Sequence, residues 1–79
     1  MTAGNKNVVG TRLVKARAEN KVTQDQLSAK LARLGVQIDR AGISKIENGA
    51  RHVYDYELKA IAKVMEVSPV WLIGEQVSH

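Results

Sequence analysis

The chain of 79 residues has no cysteine, no phenylalanine, a single proline and only three aromatic side chains, Tyr54, Tyr56 and Trp71. Without cysteine it can form neither a disulfide nor a thiolate zinc site, two common reinforcements of small domains, and the composition fits a reducing cytosol. With 44% hydrophobic residues and no Phe, any core must be built mainly from Leu, Ile, Val and Ala. The length holds one small domain and not two. A single core of this size supplies about 3–5 kcal/mol of net stability, which leaves self-pairing into a dimer as the remaining reinforcement.

Other absences narrow the function. Residues Met1 to Asn7 are polar, with one Lys and no apolar run, so they resemble neither a signal peptide nor a membrane anchor. No segment alternates with the period of two that a half-buried strand needs, and there is no internal repeat, low-complexity tract or linker. His52 and His79 are the only histidines and neither has a companion ligand at helical spacing, so no metal site is expected. There is no glycine-rich phosphate loop and no convincing grouping of nucleophile, base and orienting acid, so neither an enzyme nor a cofactor is expected. The expectation is a soluble cytoplasmic protein with a domain over residues 8–74 between flexible tails at 1–7 and 75–79.

What is present reads as five helices, an all-α fold. The first, about Val8 to Asn20, places Val9, Leu13 and Ala16 on one stripe. Thr23 and Gln26 have the spacing of a capping box at the start of the second, whose stripe is Leu27, Leu31 and Leu34 and whose stop is Gly35. Val36-Gln37-Ile38 then connects to Asp39, an N-cap for the third helix. After Gly49 and a loop, a fourth helix begins near Asp55, with Asp55 and Glu57 suited to the positive end of its dipole and Leu58, Ile61, Ala62 and Met65 as its core stripe. Tyr54 and Tyr56 are expected to pack the loop onto this helix. Ser68-Pro69 starts a fifth helix through Val70, Trp71, Leu72 and Ile73.

The third helix is the most telling. Ile43 and Ile46 fall on one face, while Arg40, Ala41, Ser44, Lys45 and Asn48 fall on the other. Small, amide and basic side chains along an outward helical edge suit the DNA major groove. Charge agrees: residues 1–53 carry ten Lys/Arg against four Asp/Glu, a balance of +6, whereas the remainder carries two against four, −2.

Arg17, Thr23-Gln24-Asp25-Gln26-Leu27, Ile43 to Gly49, Leu58 to Val67 and Ser68-Pro69-Val70-Trp71-Leu72, in this order and spacing, together resemble the helix-turn-helix domain of the phage-repressor family, the Xre/Cro or lambda-repressor-like type. The resemblance covers about residues 8–74. It implies that the third helix is a recognition helix with Arg40, Ala41, Ser44 and Lys45 toward base edges. It further implies that Gln24 meets the DNA backbone, that Asn48, Arg51 and His52 lie near phosphates, and that Arg17 and Glu47 form an internal ion pair. It also favours a homodimer through Val70, Trp71 and Leu72 on a palindromic operator. The chain departs from the family's commonest spacing by four extra residues between Leu27 and Ile43, read as an extension around Ala32 to Ile38; this bears on the tilt of the third helix and on whether Arg40 reaches a base or a phosphate.

These features point to a sequence-specific regulator of transcription that binds double-stranded DNA, most simply a repressor. The alternative is an antitoxin-like protein-interaction module whose DNA binding is only autoregulatory. Co-purification of a small toxic partner would favour the latter, and a palindromic site selected from random DNA the former.

Overall fold

A computed structural model describes residues 8–74; the two tails expected at 1–7 and 75–79, with His79, lie outside the described residues. Five helices follow in order: α1 (Val8–Asn20), α2 (Gln24–Arg33), α3 (Arg40–Asn48), α4 (Asp55–Met65) and α5 (Pro69–Leu72). There is no strand among the described residues, and no helix there is long and apolar enough to cross a membrane.

Helix starts follow side-chain chemistry. Thr23 and Gln26 exchange reciprocal hydrogen bonds, Gln26 N donating to Thr23 Oγ1 at 3.0 Å and Thr23 N to Gln26 Oε1 at 2.9 Å. Asp39 accepts from Gly42 N at 2.7 Å, and Ser68 accepts from the amides of Val70 and Trp71. Each satisfies amides that a first helical turn leaves unpaired.

Helix ends share one device. After α1, α2, α3 and α4 the chain passes through a left-handed residue, Lys21, Gly35, Gly49 and Glu66 respectively. The next amide then bonds back across the last turn: Val22 to Arg17 O, Val36 to Leu31 O, Ala50 to Lys45 O and Val67 to Ala62 O, all within 2.8–3.0 Å. This is the Schellman closure, and it turns the following side chain toward the helix it ends. Accordingly Val36 is buried and Val22 and Val67 pack against the core.

The core comprises Leu13 and Ala16 of α1, Leu27 and Leu31 of α2, Ile43 and Ile46 of α3, Ala60, Ile61, Ala62 and Met65 of α4, and Leu72 of α5, joined by Val36 and Ile38 of the α2–α3 connection. Helix α1 packs on α3, α4 and α5, and α2 on α3 and α4. One stripe residue is corrected: Leu34 is 44% exposed. Helix α2 has ended at Arg33, so the periodicity that would have turned Leu34 inward stops one residue before it.

The connection between α2 and α3, residues 34–39, is tied down. Val36 and Ile38 are buried, and Ser28 Oγ of α2 donates to Ile38 O at 2.7 Å. A Cβ at Gly42 would lie 2.9 Å from Ile38 Cγ2 and 3.1 Å from Asp39 Oδ1. Glycine there lets the first turn of α3 sit directly on the connection.

Candidate nucleic-acid interface

The α3 helix is oriented by its buried edge. Ile43 and Ile46 are buried completely or nearly so, and the 100° spacing then turns Arg40, Ala41, Lys45 and Asn48 outward, all exposed, with Ser44 half-buried beside them.

Behind this helix, Arg17 of α1 uses its whole guanidinium. Its Nε and Nη2 donate to Glu47 Oε2 and Oε1 at 2.6 and 3.0 Å, and its Nη1 donates to Val22 O at 3.0 Å. The Arg17 and Glu47 side chains are 18% and 7% exposed, so water screens the pair weakly and the bidentate geometry is of the strong kind. Gln24 Nε2 also donates to Glu47 Oε1, at 2.8 Å. A carboxylate only accepts hydrogen bonds, so Gln24 must turn its amide nitrogen inward and leave its carbonyl oxygen on the outer side. One carboxylate thereby ties together α1, the start of α2 and α3.

At the other end of α3, Arg51 does not stand free. Its Nη1 and Nη2 donate to Glu57 Oε1 and Oε2, both at 2.9 Å, and Nη1 also donates to His52 O at 2.8 Å. Glu57 accepts in addition from Tyr54 N at 3.0 Å and is only 2% exposed. The hydrogen bond from Arg51 holds the Glu57 carboxyl below its ordinary range, against the opposing effect of burial, and the same bond raises the Arg51 guanidinium. Glu57 is therefore a buried anchor of the α3–α4 loop as well as a first-turn acid. The sequence held a signal for this, an acid three residues after the N-cap Tyr54 and six after an arginine, but Tyr54 lacks the hydroxyl at Cβ that makes a capping box recognisable. Tyr54 and Tyr56 differ from expectation too: they are 63% and 61% exposed and stack on each other, with ring centroids 6.2 Å apart, instead of packing into the domain.

Two further contacts escaped sequence reasoning. Arg40 Nη1 lies 3.6 Å from Asp25 Oδ2, joining the starts of α3 and α2. Arg12 places its guanidinium 4.8 Å from the Trp71 ring centroid and donates from Nη1 to Trp71 O at 3.1 Å. Within α5, Leu72 is completely buried while Val70 and Ile73 are each 44% exposed. Leu72 is thus a core residue and is corrected as a dimer contact, because a short helix laid on the core can turn only one side inward. Among the described residues no group of three or more His, Cys, Asp or Glu is placed to hold a metal.

The pair α2 and α3, braced from behind and displaying one polar face, is the geometry of a groove-reading motif. A family profile described as helix-turn-helix matches residues 13–72, most of the chain and all of α2 to α5. The chain belongs to the Xre/Cro helix-turn-helix family. As a helix-turn-helix domain of this lambda-repressor-like type it is a non-catalytic DNA-binding module, and DNA is its partner. Comparison with curated proteins and with solved structures gave no match.

Proposed function

We propose that this domain, residues 8–74, is a sequence-specific transcriptional repressor that binds a palindromic operator as a homodimer. The observation that carries the reading is the outward face of α3, on which Arg40, Ala41, Ser44, Lys45 and Asn48 are displayed while Ile43 and Ile46 fix the helix from within. Arg40 and Lys45 supply donors for guanine edges, and Ala41 and Ser44 allow close approach to the groove floor. Asn48 flanks this face and sets the docking register through the phosphates; Gln24, with its amide nitrogen on Glu47 and its carbonyl oxygen outward, meets the DNA as an acceptor, from a base amino group or through a bridging water. Arg51, gripped by Glu57, acts by holding the loop that ends the motif. For self-association the outward residues of α5, Val70 and Ile73 with the accessible part of Trp71, take the place of Leu72. A two-fold pair would then set two α3 helices about one DNA turn, roughly 34 Å, apart. A dimer seated on a promoter blocks polymerase, and no chemistry is required of it.

The test is selection of bound duplexes from a random pool, repeated with Lys45→Ala, together with a salt titration of the selected site. The expected result is an inverted repeat, with log K falling by about 0.9 per phosphate neutralised as log salt rises. A pool with no enriched sequence, or an affinity indifferent to salt, would sink the reading.

A further inference from the structure

Asp25 is an anomaly on the face proposed to meet DNA. It occupies the first turn of α2, with its side chain 71% exposed, beside Gln24 and directly opposite Arg40, whose side chain is 69% exposed. All three residues border one open cleft between the starts of α2 and α3. An ion pair this exposed adds little to stability, and although an acid in the first turn of α2 suits the helix dipole, that does not explain why Arg40 stands opposite it. An acid on a surface that approaches phosphates also weakens sequence-independent binding, since that binding depends on neutralising the backbone.

The chemistry of the arginine supplies a reason for it. A guanidinium has five N–H donors; a guanine O6/N7 edge takes two of them, and the others remain available to an acceptor alongside. Free arginine side chains sample many rotamers, and restraint before docking reduces what binding must order. At 3.6 Å the contact is longer than a hydrogen bond, which leaves the guanidinium room to tighten onto both partners when a base arrives.

We infer that Asp25 is a specificity-determining residue that holds Arg40 in the orientation to read a guanine, the two acting as one unit. The inference rests on the proposed reading of the α3 face and adds to it a named base and a second residue that sets it. Its consequence is a division of labour: Arg40 supplies the base contact, and Asp25 directs it while disfavouring binding to arbitrary DNA.

The experiment is a double-mutant cycle on the intact protein. Asp25→Ala, Arg40→Ala and the double variant are measured against the duplex selected by the wild-type protein, against duplexes with single base changes and against an unrelated duplex, after thermal melts confirm folding. The wild-type protein is expected to require guanine at one fixed position in each half-site, by about ten- to a hundredfold. Arg40→Ala is expected to abolish that preference and Asp25→Ala to reduce it by about two- to fivefold. Asp25→Ala should have no further effect on it once Arg40 is gone, and should tighten binding to the unrelated duplex. Lys45→Ala serves as the independent partner and should combine additively with Asp25→Ala. An unchanged guanine preference in Asp25→Ala overturns the inference. So does tightening of every duplex by one common factor, because that is the behaviour of an acid that only repels phosphate. Failure of the wild-type protein to enrich any duplex would bring down the α3 reading itself, and this inference with it.

Discussion

Arg51 and Glu57 meet through two parallel hydrogen bonds of 2.9 Å, and Glu57 is 2% exposed. The pair closes the α3–α4 loop from within and receives the Tyr54 amide as a third donor. Because the folded-state pKa of Glu57 is lowered, chiefly by the hydrogen bond from Arg51, its contribution to stability is complete above the unfolded-state value of about 4.3. It is lost as pH falls from there through the lower folded value. Thermal melts from pH 7 to pH 2 should show a decline confined to the acid end. Glu57→Gln, which cannot ionise, should be less stable at pH 7 and lose less on acidification. Parallel pH profiles for the two proteins would refute the assignment.

Glu47 has a similar standing behind the interface. Glu47→Ala strips Arg17 of two hydrogen bonds in a setting where the arginine is 18% exposed, and removal of one member of a buried pair costs about 3 kcal/mol. That is comparable to the whole stability of a domain of this size, so the variant should be largely unfolded near 37 °C. Glu47→Gln keeps one acceptor and should fall between. A melting temperature for Glu47→Ala within a degree or two of the wild-type protein would show the pair to be dispensable.

Two left-handed residues lack glycine's freedom. Lys21 and Glu66 have φ values of 57° and 58° at the ends of α1 and α4, a conformation that costs an L-residue about 1–2 kcal/mol. Lys21→Gly and Glu66→Gly should each raise the melting temperature by a few degrees, net of the greater freedom glycine gives the unfolded chain. Calorimetry decides it, and a lower midpoint in both variants would count against the strain.

Gly42 gives the opposite sign. Alanine is favoured over glycine in a helix interior by about 1 kcal/mol, yet its Cβ would come 2.9 Å from the Ile38 methyl, which is buried and branched. Gly42→Ala should therefore destabilise the domain despite the gain in propensity. Pairing it with Ile38→Val will not relieve the contact, since Val keeps the same methyl, whereas Ile38→Ala removes it. Chemical denaturation of the single and double variants reads this out, and a more stable Gly42→Ala protein would contradict the packing described.

Much of this is legible in the amino-acid sequence itself. Thr23, Asp39 and Ser68 are caps that declare themselves locally, and Gly35 and Gly49 mark their stops because few other residues take that backbone conformation. Ile43 and Ile46 fix the inner edge of α3 by spacing alone. What was hidden depends on distance in three dimensions. Leu34 has the right period but lies past the end of its helix, and Leu72 and Ile73 are both apolar, so only the seating of α5 separates the buried one from the exposed one. The Arg51–Glu57 clasp, the Asp25–Arg40 contact and the stacking of Arg12 on Trp71 join charged or aromatic residues that would read equally well as solvated surface. The pairing of Arg17 with Glu47 came from family resemblance, because nothing in a separation of thirty residues announces it.

The buried connection between α2 and α3 bears on how specificity could be engineered. Val36 and Ile38 belong to the core, and Ser28 and Gly42 are fitted to Ile38 from either side, so the angle at which α3 leaves the domain is set by apolar residues that never approach a base. Transplanting Arg40, Ala41, Ser44 and Lys45 onto a helix-turn-helix domain with a different α2–α3 connection would therefore carry over the side chains without their pose. A functional graft needs the whole stretch from Ser28 to Gly42, and length changes within it offer evolution a way to retarget the helix while its outward residues stay the same.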